Sequence, residues 1–210
     1  MKNKNPKAAP KRSSEVLREI AENKHLRKKL TYQHIVDTLG ERAFGIMILF
    51  FSLPSLFPVS VVPGVAVIFS LPIIIFTLEM VFGSDSLWLP KFIANKQISH
   101  AHLSRIISVV LPYIMKLERL TKPRWTFMTC PTANIIRDIA IFCLALLLML
   151  PIPFSNVILG ILLVIFSIGI IENDGVFIFV GLILFILYAS FLVLIGSKIF
   201  AAFLFITDST

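Results

Sequence analysis

Long stretches of this sequence carry almost no charge. Residues 43–86 hold no lysine or arginine and only two acids, Glu79 and Asp85, and beyond residue 138 the one basic residue is Lys198. Glycine is scarce, nine residues against nineteen phenylalanines, which speaks against a tightly turned β-fold. There are two cysteines, Cys130 in a basic loop and Cys143 in an apolar run. A disulfide would have to join two different environments, so free thiols are expected. The four histidines, His25, His34, His100 and His102, have no cysteine or acid at ligand spacing, so neither a metal site nor a cofactor is expected. No P-loop, dinucleotide-binding glycine pattern or Ser/His/Asp arrangement is visible, and no enzymatic activity is expected. No A-x-A-like site follows the first apolar run, which argues against a cleaved signal peptide.

What the chain has in excess is hydrocarbon. Hydrophobic residues make up 57% of its 210 positions and the mean hydropathy is +0.88, against roughly 45–50% apolar usage in soluble domains. The sequence therefore reads as an integral membrane protein with the lipid bilayer as its main partner. Its charge sits in two blocks. Residues 1–42 hold 11 Lys/Arg against five acids, and residues 87–138 hold eight against two. Each block adjoins an apolar one, the pattern of the positive-inside rule, and this places the N-terminus in the cytoplasm. A nucleic-acid binder would interleave aromatics and bases on one surface, so no nucleic-acid partner is expected.

The spacing of apolar residues supplies the elements. Residues 1–12 form a basic tail with nothing to bury, expected to be disordered. Cytoplasmic amphipathic helices occupy 13–42, and Tyr32, Ile35, Val36 and Leu39 follow helical spacing up to Gly40. Such basic helices either lie on the membrane and hold anionic headgroups or pack on their own protein. Residues 43–86 form a hairpin broken by Pro54, Pro58, Ser60, Pro63 and Gly64. Its first arm, 43–57, spans about 22 Å as a helix, short of the roughly 30 Å hydrocarbon core. Pro72 is expected to kink the second arm, and Trp88 to sit at headgroup level. A basic interfacial segment fills 87–138, with Arg105, Lys116 and Arg119 lying off an apolar stripe. A second hairpin covers 139–175, and a C-terminal membrane span covers 176–210, interrupted at Gly196-Ser197-Lys198.

The two hairpins look like copies. Leu53-Pro54 and Leu150-Pro151 lie 97 positions apart, as do Ile68-Phe69-Ser70 and Ile165-Phe166-Ser167. Both start from a basic block, so the expected fold is all-α: two parallel repeats, each an amphipathic helix plus a Pro-broken hairpin, then the C-terminal transmembrane helix. The stretch LPIPFSN (150–156) is then a hairpin tip. Proline removes a donor and restricts the residue before it, and irregular backbone cannot face lipid tails. The tip either reaches the far headgroups or re-enters the bilayer shielded by protein.

LGERAFG (39–45), the break ending in PG (63–64), WLP (88–90), LPIPFSN (150–156) and ENDG (172–175), in that order, resemble the ExoD family of bacterial membrane proteins. Ala43 and Ser155 depart from the glycines expected at those places. The resemblance implies a protein of the bacterial inner membrane that supports exopolysaccharide synthesis or export. The multi-pass pattern and the two broken hairpins add the leading mechanism expected here, a carrier or accessory component working with other membrane proteins of polysaccharide biosynthesis. The alternative is a scaffold that recruits biosynthetic enzymes through its basic helices. The family brings no defined catalytic residue.

Candidate site residues follow from the repeat. Ser60, Ser155 and Asn156 could form a polar seam where two broken tips face each other. Arg42 and Arg137 begin the first arms, and Glu79 and Glu172 end the second, so Arg42–Glu79 and Arg137–Glu172 are candidate ion pairs clamping the hairpin ends. Asp174-Gly175 reads as a turn before the last span. A sugar transferase would need Glu172 or Asp174 as its acid and is the weakest reading.

Overall fold

A computed structural model describes residues 31–57, 64–84, 86–88, 130–150 and 155–208, together with Ala94, Lys96, Met115 and Trp125. The tail 1–12, the first amphipathic helix, Ser60, the stripe bearing Arg105, Lys116 and Arg119, and residues 151–154 of the LPIPFSN tip lie outside the described residues. Six α-helices are described: α1 (Tyr32–Leu39), α2 (Glu41–Ser52), α3 (Val65–Val81), α4 (Pro131–Met149), α5 (Ser155–Glu172) and α6 (Gly175–Asp208). A 3-10 turn, Leu53–Leu56, extends α2.

Helix α1 ends where only glycine is comfortable. Gly40 has φ 56°, and its N–H returns to the Val36 carbonyl at 2.9 Å. Val36 and Leu39 pack on the common core, so α1 turns its apolar side onto its own bundle. Pro54 enters the first turn of the 3-10 segment, where a missing N–H costs nothing, and Ser52 and Ser55 are buried there. Helix α3 runs unbroken through Pro72, the expected kink site.

The sides of α3 invert the pattern of a soluble helix. Ala66, Ser70, Ile73, Thr77 and Met80 are buried, while Ile68, Leu71, Ile75, Leu78 and Phe82 are exposed. The small hydroxyl residues face inward and bond back to their own helix: Thr77 Oγ1 donates to Ile73 O at 2.6 Å, and Ser70 Oγ to Val67 O at 3.2 Å. The bulky hydrocarbon faces outward, which suits a surface bathed in lipid tails and not in water.

Among the described residues, three helices are long and apolar enough to cross a membrane: Thr132–Met149, Ser155–Glu172 and Gly175–Lys198. The expected interruption at Gly196-Ser197-Lys198 does not break α6. Ser197 Oγ instead donates to Leu194 O at 2.8 Å, and the helix continues for 34 residues.

The helices pair across the two hairpins. The most extensive contacts are α2 with α5 and α3 with α4, while α2–α3 and α4–α5 touch less. Helix α6 leans mainly on α5 through Ile178, Gly181 and Tyr188, and in its second half Val193, Phe200 and Phe205 are exposed.

The link from α5 to α6 explains ENDG residue by residue. Asn173, at φ 51°, lets the Asp174 N–H reach Gly169 O at 3.0 Å and its own N–H reach Ile170 O at 3.4 Å, a Schellman ending. Asp174 Oδ1 then accepts from Val176 N at 2.9 Å and caps α6. Removing that cap in Asp174→Ala should cost about 0.5–2 kcal/mol, read as a lowered thermal midpoint in detergent. A midpoint unchanged from wild type would discount the cap.

Candidate functional site

Antiparallel packing sorts the candidate residues to two ends of the bundle. A Cβ on Gly45 near the start of α2 would lie 2.9 Å from Ile171 Cγ1 near the end of α5. A Cβ on Gly160, in the second turn of α5, would lie 3.1 Å from Leu56 Cδ2 and 3.2 Å from Ser55 Cβ. Arg42, Glu79, Arg137 and Glu172 therefore share one end. Ser155 and Asn156 occupy the other, beside the turn that follows α2.

At the first end, α4 begins earlier than the apolar run that marks it. It starts at Pro131 and carries Arg137 and Asp138 as helical residues, 2% and 3% exposed. Adjacent helical positions do not face each other, and only a long arginine can bend back to its neighbour. Arg137 Nε donates to Asp138 Oδ1 at 2.8 Å, and Nη2 lies 2.8 Å from the same oxygen. Nη1 donates to Asn134 Oδ1 at 3.2 Å, so each guanidinium nitrogen has a partner. A buried charge needs this degree of pairing and hydrogen bonding.

Beside the pair lies a cavity of about 330 Å³. Glu41 and Phe44 from α2, Met80–Ser84 from the end of α3, and Asn134, Ile135, Arg137 and Asp138 from α4 line it. Its size falls at the lower end of small-molecule sites, about 300–1,000 Å³. The end of α3 is itself a Schellman turn: Gly83, at φ 76°, sends its N–H to Met80 O at 2.9 Å, and Ser84 N reaches Glu79 O at 3.0 Å. Glu79 Oε2 accepts from Trp88 N at 2.9 Å and pins the following chain. Glu172 is 9% exposed; its Oε1 is buried and accepts no hydrogen bond among the described residues, although the residue makes another interaction. Arg42, half-buried at the start of α2, likewise has an interaction of its own.

Both tryptophans mark this end. Trp88 is exposed beside Glu79, and Trp125 stacks edge-on against Phe179 near the start of α6, with ring centroids 5.5 Å apart. Indoles favour the headgroup level.

At the other end, Ser155 Oγ and Tyr188 OH form a buried hydrogen bond that ties the start of α5 to the middle of α6. Asn156 is buried in the same turn, and its Oδ1 accepts no hydrogen bond among the described residues while the residue is engaged elsewhere.

Sequence reasoning picked out Ser155, Asn156 and Arg137, and marked Asp138 as its acidic neighbour, but expected Arg137 to pair with Glu172 where it holds Asp138, and it missed Asn134 and Tyr188. Asp138 stood next to Arg137 at the edge of an apolar run, and Tyr188 is the one tyrosine of the last span. A buried phenol needs a partner, and that need was the available signal.

The family model described as "Exopolysaccharide synthesis, ExoD" matches residues 13–194. A relative from Rhizobium meliloti (strain 1021), "Protein ExoD", is 30% identical over 177 residues, covering 82% of this chain and 73% of that protein. A protein of Synechocystis sp. described as uncharacterized is 30% identical over 145 residues, covering 68% of each chain. No solved structure matches.

Proposed function

The chain belongs to the ExoD family, whose role is in exopolysaccharide synthesis, and on that premise we propose that it serves this role as a membrane carrier or accessory component that binds a small polar group inside its helical bundle. The observation that carries the reading is the cavity beside the buried Arg137–Asp138 pair. Charges within a membrane helix are costly and mark solute or ion pathways more often than they stabilise. A protein that served only as a platform would have no need of them.

Two hairpin repeats frame the cavity. Ala43 and Ala140, Phe44 and Ile141, Ile48 and Ala145, Ala66 and Leu163, Ser70 and Ser167, and Ile73 and Ile170 each lie 97 positions apart, and all twelve are buried. Pairing α2 with α5 and α3 with α4 is the arrangement a two-fold-related duplication would give. The units are parallel, both beginning at the cytoplasmic face of the bacterial inner membrane. Ser155 and Asn156 supply the polar seam at the far end.

The test is complementation of a bacterium lacking its own ExoD-family protein, scored by secreted polysaccharide and by the amount of the protein in membranes. Asn156→Ala should keep normal membrane levels yet lower output by up to about tenfold, the scale of one lost hydrogen bond. The scaffold reading predicts the reverse: tolerance of Asn156→Ala, and failure when Arg105, Lys116 and Arg119 are neutralised. Single cysteines at Ser60, Asn156 and Asn173, in a chain without Cys130 and Cys143, settle the path of the tips. Labelling of 60 and 156 in intact cells means that they cross; protection until lysis means that they re-enter.

A further inference from the structure

We propose that the cavity at the charged end of the bundle binds the ammonium group of a small amphipathic amine. This rests on the carrier reading and gives it a ligand class.

The charge of the lining decides the sign. Two carboxylates, Glu41 and Asp138, reach the cavity, with Arg137 as the one cation lining it among the described residues. Arg137 spends one N–H of each nitrogen on Asp138 Oδ1 or Asn134 Oδ1, and the carboxylate it holds balances its charge. Both contacts with Asp138 fall on Oδ1, which leaves Oδ2 of this 3% exposed carboxylate as an acceptor that Arg137 does not use. Two helix ends meet the cavity, and the N-terminus of α2 is already offset by Glu41 in its own first turn. Val81, Phe82, Gly83 and Ser84 form the C-terminus of α3, the negative pole of its dipole, which favours cations. An anion such as a phosphate would meet two acids and a helix C-terminus, against a guanidinium whose charge Asp138 already balances.

The walls decide the rest. Phe44, Met80, Phe82 and Ile135 present apolar surface on the other sides. Hard metal ions take six or more oxygen ligands, which such walls do not supply. An ammonium with an apolar body satisfies both halves, its charge on the carboxylates and its hydrocarbon on the aromatic side, where a ring face also attracts a cation. Two sources offer this chemistry: a lipid with an ethanolamine headgroup, and a soluble amine.

The experiment uses the full chain purified in detergent and three probes of one shape: benzylammonium, neutral benzyl alcohol and benzoate. Benzylammonium should bind saturably and raise the thermal midpoint, and the other two should do neither. Glu41→Gln alters an exposed side chain, so it should fold normally and weaken benzylammonium binding severalfold; Asp138→Asn should weaken it further. Benzoate binding as tightly as benzylammonium would overturn the proposal, and so would benzylammonium affinity unchanged in Glu41→Gln. Two nanodisc arms then separate the sources. Competition by phosphatidylethanolamine over phosphatidylglycerol assigns the site to the headgroup, and undiminished benzylammonium binding assigns it to a soluble amine. If the probes fail while Asn156→Ala still lowers polysaccharide output, the carrier reading stands and the amine falls. If the probes bind and Asn156→Ala is tolerated, the amine site stands without the carrier.

Discussion

Asp138→Ala should destabilise the folded protein by about 3–5 kcal/mol, because it strands the Arg137 guanidinium, 2% exposed, without its carboxylate. The expected readout is loss of the monodisperse detergent-solubilised species and a much lower thermal midpoint. Arg137→Ala should behave alike for the mirrored reason, since a lone carboxylate at that depth is no better solvated. The informative variant is the double one. Arg137→Met with Asp138→Leu removes both charges, and paired replacement of buried ions by hydrocarbon is often neutral or stabilising by about 1–4 kcal/mol. The double variant should therefore fold at least as well as wild type. A double variant as unstable as either single one would mean that the two residues do not act as a unit.

The same double variant separates structure from function. A pair kept only to hold α4 in place would be dispensable, and the folded double variant would still complement polysaccharide production. The carrier reading expects a well-folded protein that fails to complement. Arg137–Asp138 sits where such a test is clean. The pair touches Asn134 on its own helix, so removing it leaves the α2–α5 and Ser155–Tyr188 contacts unaltered.

Much of the architecture could be read from the chain because lipid imposes simple demands. Runs of hydrocarbon long enough to cross, basic blocks beside them and proline at the breaks place α4, α5 and α6 with little ambiguity. The inner and outer faces were not readable. On α3 both faces are hydrophobic, and the buried one is marked by Ser70 and Thr77 and not by its largest side chains. A period-3.6 search ranks faces by hydrophobicity, and it has nothing to rank when the solvent is itself apolar. The start of α4 was hidden for a related reason. Arg137 and Asp138 look like the end of a polar loop until each is seen to neutralise the other, and a hydropathy scale counts them as two separate charges. At the far end the reading of Ser155 came closer. Its hydroxyl is needed at the break, though its partner is Tyr188, 33 positions on and recognisable only after folding.

Gly45 tests the pairing of helices across the hairpins most directly. It lies on α2 where a Cβ would come within 2.9 Å of Ile171 Cγ1 and 3.0 Å of Ile170 Cγ2 on α5. Gly45→Leu should push the two helices apart, and overpacking of this kind costs about 1–3 kcal/mol. Gly45→Ala should fall between, because the roughly 0.8–1.0 kcal/mol gained in helix propensity offsets part of the clash. Gly196 supplies the internal control. Nothing lies within 4 Å of a Cβ built there, so Gly196→Ala should keep the propensity gain and raise the thermal midpoint slightly. Ile171→Ala removes the Cγ1 that Gly45→Leu would strike, so the double variant should be less unstable than the sum of the two singles. Contacting residues couple by about 0.5–3 kcal/mol in such cycles. Strict additivity of the two changes would mean that α2 does not lie on α5 at this point, and the interlocked arrangement of the hairpins would have to be abandoned.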